Sequence, residues 1–149
     1  MPGMTLKAIG IVRNEVKQKP KQVPFGWENV YSDIVINSSL TEALDGLEEF
    51  SHIIVFYWMH QAGIGELPTK VHPMGKQELP LVGRFATRSP NRPNPIGKTT
   101  VRLLERQGNI LRVRGLDAID GTPVIDIKPY IPGYDSVADA KVPPWITNQ

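Results

Sequence analysis

Apolar and polar positions alternate over several short stretches of the chain, as they do in half-buried β-strands. Together with runs of β-branched and aromatic residues, this alternation predicts seven strands. They lie at residues 6–12, 31–37, 52–60, 81–87, 98–107, 110–116 and 124–128. Turn signals such as Gly108-Asn109 and Asp120-Gly121 separate the later strands. The pattern is typical of a mainly β fold, and we expect a small antiparallel β-barrel with long loops.

In one stretch the apolar residues recur at a different spacing. Leu40, Leu44 and Leu47 recur at helical spacing, and Thr41 or Ser39 can cap the start. The pattern predicts one short helix over about residues 41–50. We expect loops at residues 15–24 and 62–80 and an irregular C-terminal tail from about residue 135. A chain of 149 residues is the size of one ordinary domain, so a single domain is expected over residues 1–149.

Composition narrows the class of protein. The chain is 40% hydrophobic and 21% charged, which is typical of globular domains. It has no cysteine, which excludes disulfides and thiolate chemistry, and its three histidines show no metal-binding spacing. No apolar stretch approaches the ~18 residues of a membrane span. We therefore expect a cytoplasmic protein without a metal or a membrane anchor. The net charge of +2 is mild, but positive residues concentrate between positions 84 and 114.

A basic, polar stretch lies at residues 83–97. Arg84, Arg88 and Arg92 recur every fourth residue, but three prolines within residues 90–95 exclude a helix. A stiff, extended loop of the polyproline type is predicted instead. Arginines on such a loop suit a carboxylate, a phosphate or a stacked purine ring, which indicates an anion or nucleotide site. The alternative is a solvated, proline-rich connection.

Two motifs resemble a known family. They are Phe85-Ala86-Thr87-Arg88-Ser89-Pro90-Asn91-Arg92-Pro93-Asn94-Pro95-Ile96-Gly97, and Leu116-Asp117 followed by Asp120-Gly121-Thr122-Pro123-Val124-Ile125-Asp126-Ile127-Lys128-Pro129-Tyr130. On these motifs, residues 6–135 resemble the TrmO (TsaA/YaeB-like) family of tRNA methyltransferases. Members of that family transfer a methyl group from S-adenosylmethionine to the N6 of threonylcarbamoyl-adenosine, next to the anticodon of certain tRNAs. Longer bacterial members carry a further C-terminal region.

The resemblance implies a fold, a cofactor and partners. It implies a small β-barrel that works as a homodimer, uses S-adenosylmethionine and acts on the tRNA anticodon loop. It also implies that the cofactor contacts the arginine loop, the end of the third predicted strand and the turn before the last one. The backbone of that turn would offer donors and acceptors to the cofactor. The implied cofactor-binding residues are His60, Gln61, Arg88, Asp120, Gly121, Thr122 and Pro123.

Methylation of an amine requires positioning of the acceptor and handling of its proton. By chemical analogy with the Asn-Pro motif of unrelated N6-adenine methyltransferases, we expect Asn94-Pro95 to accept hydrogen bonds from the target amine. Asp126 is the alternative proton acceptor. Tyr130 is either a catalytic group or a buried structural residue. Basic side chains are expected to bind RNA phosphates, namely Arg84, Arg92, Lys98 and Lys128.

Two other functions fit the same residues. One is a non-catalytic dimeric barrel that binds S-adenosylmethionine or RNA as a sensor or regulatory module. The other is a methyltransferase with a different substrate. Loss of methyl transfer with retained cofactor binding would indicate the first, and a substrate screen would indicate the second.

Overall fold

Six of the seven predicted stretches form β-strands over part or most of their length, which confirms a mainly β protein. The strand predicted at residues 81–87 is wrong beyond its start: only Val82–Gly83 are strand, since their partner Lys70–Val71 is equally short, and Arg84–Ala86 form a 3-10 helix. The computed structural model describes residues 3–18, 26–62 and 67–146. Most of the loop predicted at residues 15–24 therefore lies outside the described residues. The strands are β1 (Gly10–Arg13), β2 (Tyr31–Ile36), β3 (His52–Trp58), β4 (Lys70–Val71), β5 (Val82–Gly83), β6 (Ile96–Gln107), β7 (Ile110–Arg114) and β8 (Pro123–Pro129).

The chain divides into two compact units. The first comprises residues 1–61 and 95–130, and the second comprises residues 62–94 and 131–149. Six strands of the first unit form a closed antiparallel barrel in the order β1-β2-β7-β6-β3-β8, and β8 pairs with β1 to close it. The predicted barrel is confirmed. The expectation of a single domain over residues 1–149 stays a prediction.

The alternation along each strand creates the barrel core. In β3, Ile53, Val55 and Tyr57 are buried and belong to the core, whereas His52 and Phe56 are only partly buried. Burying alternate apolar side chains on the inner face removes them from water, which is the main favourable contribution to folding. The other strands contribute in the same way, through Val12, Ile34, Ile36, Val101, Leu103, Leu111, Val113 and Val124.

The segment predicted as one helix over residues 41–50 has a different local structure. It forms two 3-10 helices, Ser38–Leu44 and Leu47–Glu49. Gly46 lies between them in the left-handed region at φ 92°, which ends one helix and starts the next. Arg106 of β6 holds both pieces, with Asp45 at 2.9 Å and Glu48 at 3.4 Å from its guanidinium group. Helical spacing alone did not reveal this break.

The second unit has little regular structure. It contains the β4–β5 pair, the 3-10 helices Pro73–Gly75 and Arg84–Ala86, and one α-helix, α1 (Pro132–Asp135). The predicted loop at residues 62–80 thus includes β4 and a 3-10 helix, and residues 63–66 lie outside the description. From residue 136 to 146 the chain forms only turns and irregular structure, as expected of the tail. Within the described ranges, no helix has the length and apolar character needed to span a bilayer.

Topology places three connections of the barrel at one end. Since neighbouring strands are antiparallel, β1, β3 and β7 finish at the end where β2, β6 and β8 begin. We call this the upper end. It carries the start of the β1–β2 connection, residues 59–61 after β3, Pro95 before β6, and residues 115–122 between β7 and β8.

Candidate functional site

The upper end of the barrel brings together two of the predicted cofactor-binding segments. His60 and Gln61 follow β3 and are exposed. The backbone of Met59 donates a hydrogen bond to the carbonyl of Pro95 (2.7 Å), which continues the β3–β6 ladder to this point. The Asp120–Pro123 segment lies at the same end, immediately before β8. The barrel therefore presents both predicted segments from adjacent strands, β3 and β8.

The Asp120–Pro123 turn has no backbone donor left for a ligand. The N–H groups of Asp120, Gly121 and Thr122 donate to the carbonyls of Val16 (2.7 Å), Val12 (2.7 Å) and Ile119 (3.2 Å), and proline has none. The hydroxyl of Thr122, which is 2% exposed, also donates to Ile119. We expected both donors and acceptors from this backbone. The carbonyl of Thr122 accepts from the N–H of Val12 (2.9 Å), so the turn can offer a ligand only its other carbonyl oxygens. These suit groups that donate hydrogen bonds.

The side chain of Asp120 is bound by the chain that follows β1. Its carboxylate accepts a hydrogen bond from the backbone N–H of Asn14 (3.0 Å) and lies 3.1 Å from Lys17 and 3.8 Å from Arg13. The Asn14 hydrogen bond, reinforced by Lys17 and Arg13, lowers the pKa of Asp120 below its ordinary value. Asp120 thus anchors the β1–β2 connection to the turn.

Asn14 is a residue of this site that the sequence analysis did not single out. Its side-chain nitrogen donates to the hydroxyl of the fully buried Ser32 (3.0 Å) and to the carbonyl of Ala118 (2.8 Å). Its side-chain oxygen accepts from the backbone N–H of Val16 (2.9 Å). One amide therefore joins β2 and two connections at the upper end. The only sequence signal was a polar residue directly after a buried strand.

A second missed feature is a carboxylate at the mouth of the barrel. Tyr57 donates its hydroxyl to Oδ1 of Asp117 (2.7 Å), and the hydroxyl of Thr99 donates to the same oxygen. The two hydroxyls lie 3.0 Å apart. Asp117 is exposed, whereas the Tyr57 ring is 4% exposed and belongs to the core. The site therefore has a negative charge whose position is fixed from inside the barrel.

The ring of Tyr57 fits in the barrel because Gly97 has no side chain. The two residues are paired across β3 and β6. A Cβ atom at Gly97 would lie 2.3 Å from Cε2 and 2.4 Å from Cζ of the tyrosine ring. The ring thus packs directly on the β6 backbone. Gly97 ends the first motif of the family resemblance, and this contact is its physical role.

The predicted residues of β8 lie on the outer face of the barrel. Asp126 and Lys128 are exposed and lie 3.5 Å apart, and Asp126 also accepts a hydrogen bond from the backbone of Ile127. Asp126 and the exposed Lys98 both pair with Phe56, from opposite sides of β3. The three exposed residues thus belong to one outer surface, although their catalytic and RNA-binding roles stay predictions.

Tyr130 lies at the opposite end of β8. Its backbone donates to the carbonyl of His52 at the start of β3 (3.1 Å), and the two rings make an edge contact with centroids 6.3 Å apart. At ~3.3 Å per residue, β8 separates Pro123 from Pro129 by roughly 20 Å. Within one chain, the structure therefore does not bring Tyr130 together with the Asp120–Pro123 turn.

In the second unit, the arginine loop is folded on itself and not extended. Arg84 is 9% exposed and donates to the carbonyls of Pro68 (2.9 Å) and Asn91 (2.8 Å). Arg92 donates to the carbonyl of Thr87 (2.6 Å). Prolines supply no N–H groups, so these guanidinium donors satisfy carbonyls that a regular ladder would otherwise satisfy. This geometry favours a structural role for Arg84 over the predicted contact with RNA.

Other side chains of the loop face outward. Arg88 and Asn94 are exposed, and Phe85 is 77% exposed with the Arg92 guanidinium 5.7 Å from its ring centroid. The predicted roles of Arg88 in cofactor binding and of Asn94 in catalysis are compatible with this exposure but stay predictions. Among the residues that the structure describes, no cluster of three or more His, Asp or Glu side chains is arranged to hold a metal ion.

Comparison with known protein families gives one match that covers most of the chain. The family model described as tRNA-methyltransferase O N-terminal domain matches residues 12–136. A solved structure titled "Crystal structure of TrmO" is 35% identical, with a TM-score of 0.75, and the match covers 96% of this chain and 66% of that one. The resemblance seen in the sequence is confirmed.

Curated relatives are named for binding of S-adenosylmethionine or for methyl transfer. A "Probable S-adenosyl-L-methionine-binding protein" of Methanothermobacter thermautotrophicus is 49% identical over 89% of this chain and 93% of its own length. One of the same name from Archaeoglobus fulgidus is 45% identical over 92% of this chain, which spans 37% of that protein. The "tRNA (adenine(37)-N6)-methyltransferase" of Escherichia coli is 36% identical over 94% of this chain and 63% of its own length.

Proposed function

Since the chain belongs to the tRNA-methyltransferase O (TrmO) family, we propose that it is an S-adenosylmethionine-dependent tRNA (adenine-N6)-methyltransferase. Its proposed acceptor is the N6 of threonylcarbamoyl-adenosine, next to the anticodon. The observation that supports this best is the upper end of the barrel, where His60-Gln61 and the Asp120–Pro123 turn lie on adjacent strands. Both segments were assigned to cofactor binding from the family resemblance.

The chemistry of these residues fits the cofactor. The turn offers only carbonyl acceptors, because its N–H groups are engaged within the barrel. S-adenosylmethionine carries an adenine amino group, ribose hydroxyls and an ammonium group, all of which donate hydrogen bonds. His60 and Gln61 add exposed side chains that can both donate and accept. Arg88 provides a fork of donors suited to a carboxylate. When bound, the cofactor supplies an activated methyl group on a sulfonium.

The chain's own task is then to orient the acceptor nitrogen and to receive its proton. Asn94 is our candidate for orientation, because an amide oxygen accepts a hydrogen bond from an N–H group. Asp126 is the alternative, because its exposed carboxylate can take up a proton. Asn94→Ala tests the first assignment, and Asp126→Asn tests the second. Methylation at a near wild-type rate by either variant would remove that residue from the mechanism.

We further propose that the protein works as a homodimer in the cytoplasm. Both proposals rest on the family resemblance, together with the absence of cysteine from the sequence for the compartment. Light scattering coupled to size-exclusion chromatography tests the dimer. A mass near 16.6 kDa at micromolar concentration would contradict it.

The central experiment combines purified protein, methyl-labelled S-adenosylmethionine and two forms of one tRNA, with and without threonylcarbamoyl-adenosine. We expect label only in the modified tRNA, at N6 of that nucleoside. His60→Ala and Arg88→Ala are expected to lower transfer at least tenfold. Lys7→Ala is the control, because Lys7 is also an exposed cationic residue but belongs to none of the predicted sites.

Label in both tRNAs would keep the methyltransferase and contradict the threonylcarbamoyl requirement. Label in neither, with measurable cofactor binding by calorimetry, would favour the second candidate, a non-catalytic barrel that senses S-adenosylmethionine or binds RNA. That candidate is kept because the methanogen relative is named only for cofactor binding. Label in another nucleic acid or a protein would indicate a different substrate.

A further inference from the structure

Two arginines face each other on the outer surface of the barrel. Arg102 of β6 lies directly opposite Arg114 of β7, and both are exposed. Their inward neighbours Val101 and Val113 are buried, which puts both arginines on the outer face. We call Arg102 and Arg114 the arginine pair. Like charges directly opposite each other destabilise an antiparallel sheet, so this arrangement costs the free protein stability.

In the next set of outward-facing residues across the same strands, acidic side chains lie opposite the arginine. Arg112 lies opposite Asp33 on one side and Glu105 on the other, and its guanidinium is 3.1 Å from the Asp33 carboxylate. Across residues 3–18, 26–62 and 67–146, the structure gives the arginine pair no such carboxylate partner. The fold therefore places Arg112 between two acidic residues, whereas the arginine pair has two positive charges side by side.

Aromatic residues flank the arginine pair along the same row. Tyr31 of β2 lies opposite Arg114 and is 48% exposed. His52 of β3 lies opposite Arg102, and the ring of Tyr130 meets it edge-on. At ~4.8 Å between strands, the four strands from Tyr31 to His52 span roughly 14 Å. The row thus has two central cations with an aromatic ring at each end.

We propose that this row is an RNA-binding surface, on which the arginine pair holds a backbone phosphate of the tRNA and the flanking rings contact unpaired bases. Two guanidinium forks match the oxygens of one phosphate, and its charge removes the repulsion between them. Aromatic rings beside phosphate contacts are typical of sites that hold single-stranded RNA. The inference rests on the proposed function, for which it supplies a substrate-holding surface on the outside of the barrel that starts at the upper end, at Arg114 and Tyr31.

The test uses Arg102→Gln, Arg114→Gln and the double variant, with Lys7→Gln as the control that removes the same charge from an exposed residue outside this row. We measure tRNA binding between 0.05 and 0.5 M salt, the KM for tRNA and the Kd for S-adenosylmethionine. Losing the contact with one phosphate lowers the slope of log K against log salt by about 0.7–0.9. At low salt, we expect the double variant to bind tRNA on the order of tenfold more weakly, with an unchanged cofactor Kd.

A second readout distinguishes a binding surface from a structural one. Because the pair repels itself in the free protein, Arg102→Gln should raise the melting temperature without RNA while weakening RNA binding. If the double variant keeps the wild-type salt slope and KM while the wild type methylates tRNA, the inference is overturned and the proposed function stands. If the wild type neither binds nor methylates tRNA, both are overturned.

Discussion

Substitution of Gly97 by alanine should destabilise the barrel through a single contact. The new Cβ atom would lie 2.3 Å from Cε2, 2.4 Å from Cζ and 2.9 Å from Cδ2 of Tyr57, whereas ordinary van der Waals contacts begin at 3.4 Å. The ring must therefore withdraw by roughly 1 Å, the difference between 2.3 and 3.4 Å. It has little space for this, because it is 4% exposed and packed in the core.

The magnitude follows from two opposing effects. Overpacking of a well-packed core costs about 1–3 kcal/mol, and withdrawal of the ring also strains the hydrogen bond from Tyr57 to Asp117 (2.7 Å). Alanine also lowers the conformational entropy of the unfolded chain, which offsets about 0.4–1 kcal/mol of this destabilisation. Because the contact at 2.3 Å is so short, we expect the upper part of the remaining range, a net destabilisation of about 1–2.6 kcal/mol. For a chain of this size, that corresponds to a fall of roughly 2–10 °C in melting temperature.

The assay is thermal and urea unfolding followed by circular dichroism. Gly83→Ala is the matched control, because Gly83 also lies in a strand, has φ −62°, and a Cβ there would meet nothing within 4 Å. The double variant Gly97→Ala/Tyr57→Leu removes the ring that the new methyl group meets. Its destabilisation should be smaller than the sum of the two single effects. The packing argument is refuted if Gly97→Ala melts with the wild type, or if the two effects simply add.

Two further predictions concern the upper end of the barrel. The hydrogen bond from Asn14 and the nearby Lys17 lower the pKa of Asp120 in the folded state. The ionised carboxylate therefore stabilises the fold above the unfolded pKa of ~3.9, and this stabilisation is lost as the pH falls through the lower folded pKa. Urea unfolding between pH 2 and 6 should therefore show a weaker acid dependence for Asp120→Asn, and an unchanged profile would contradict this assignment. Tyr57→Phe removes a hydroxyl that donates to Asp117 and should cost about 1 kcal/mol, less than a fully buried bond to a charged group because Asp117 is exposed. An equally stable Tyr57→Phe protein would show that the hydroxyl contributes nothing to stability.

The strands were predictable because their pattern is local. The run of β-branched and aromatic residues at 52–58 predicts a strand, and the barrel follows once several strands must bury one face each. The 3-10 break was harder to predict, because Gly46 lies within a stretch whose leucines keep helical spacing. The family resemblance identified His60 and the Asp120–Pro123 turn. It did not show that the N–H groups of the turn bind the carbonyls of Val12, Val16 and Ile119, since that depends mainly on pairing between distant segments.

The sequence does not reveal which arginine side chains are engaged within the protein and which are available to RNA. Arg84, Arg92 and Arg106 look as available for RNA as any other, yet the fold directs their donors to backbone carbonyls or to Asp45 and Glu48. For Arg106, strand register decides this allocation, because a shift by one residue exchanges the inner and outer faces of a strand. The same register sets Arg102 against Arg114. Net charge therefore does not measure the affinity of this protein for RNA. A modest +2 is compatible with a strong local site, because ion pairs neutralise some of its arginines while the register concentrates two others at one point.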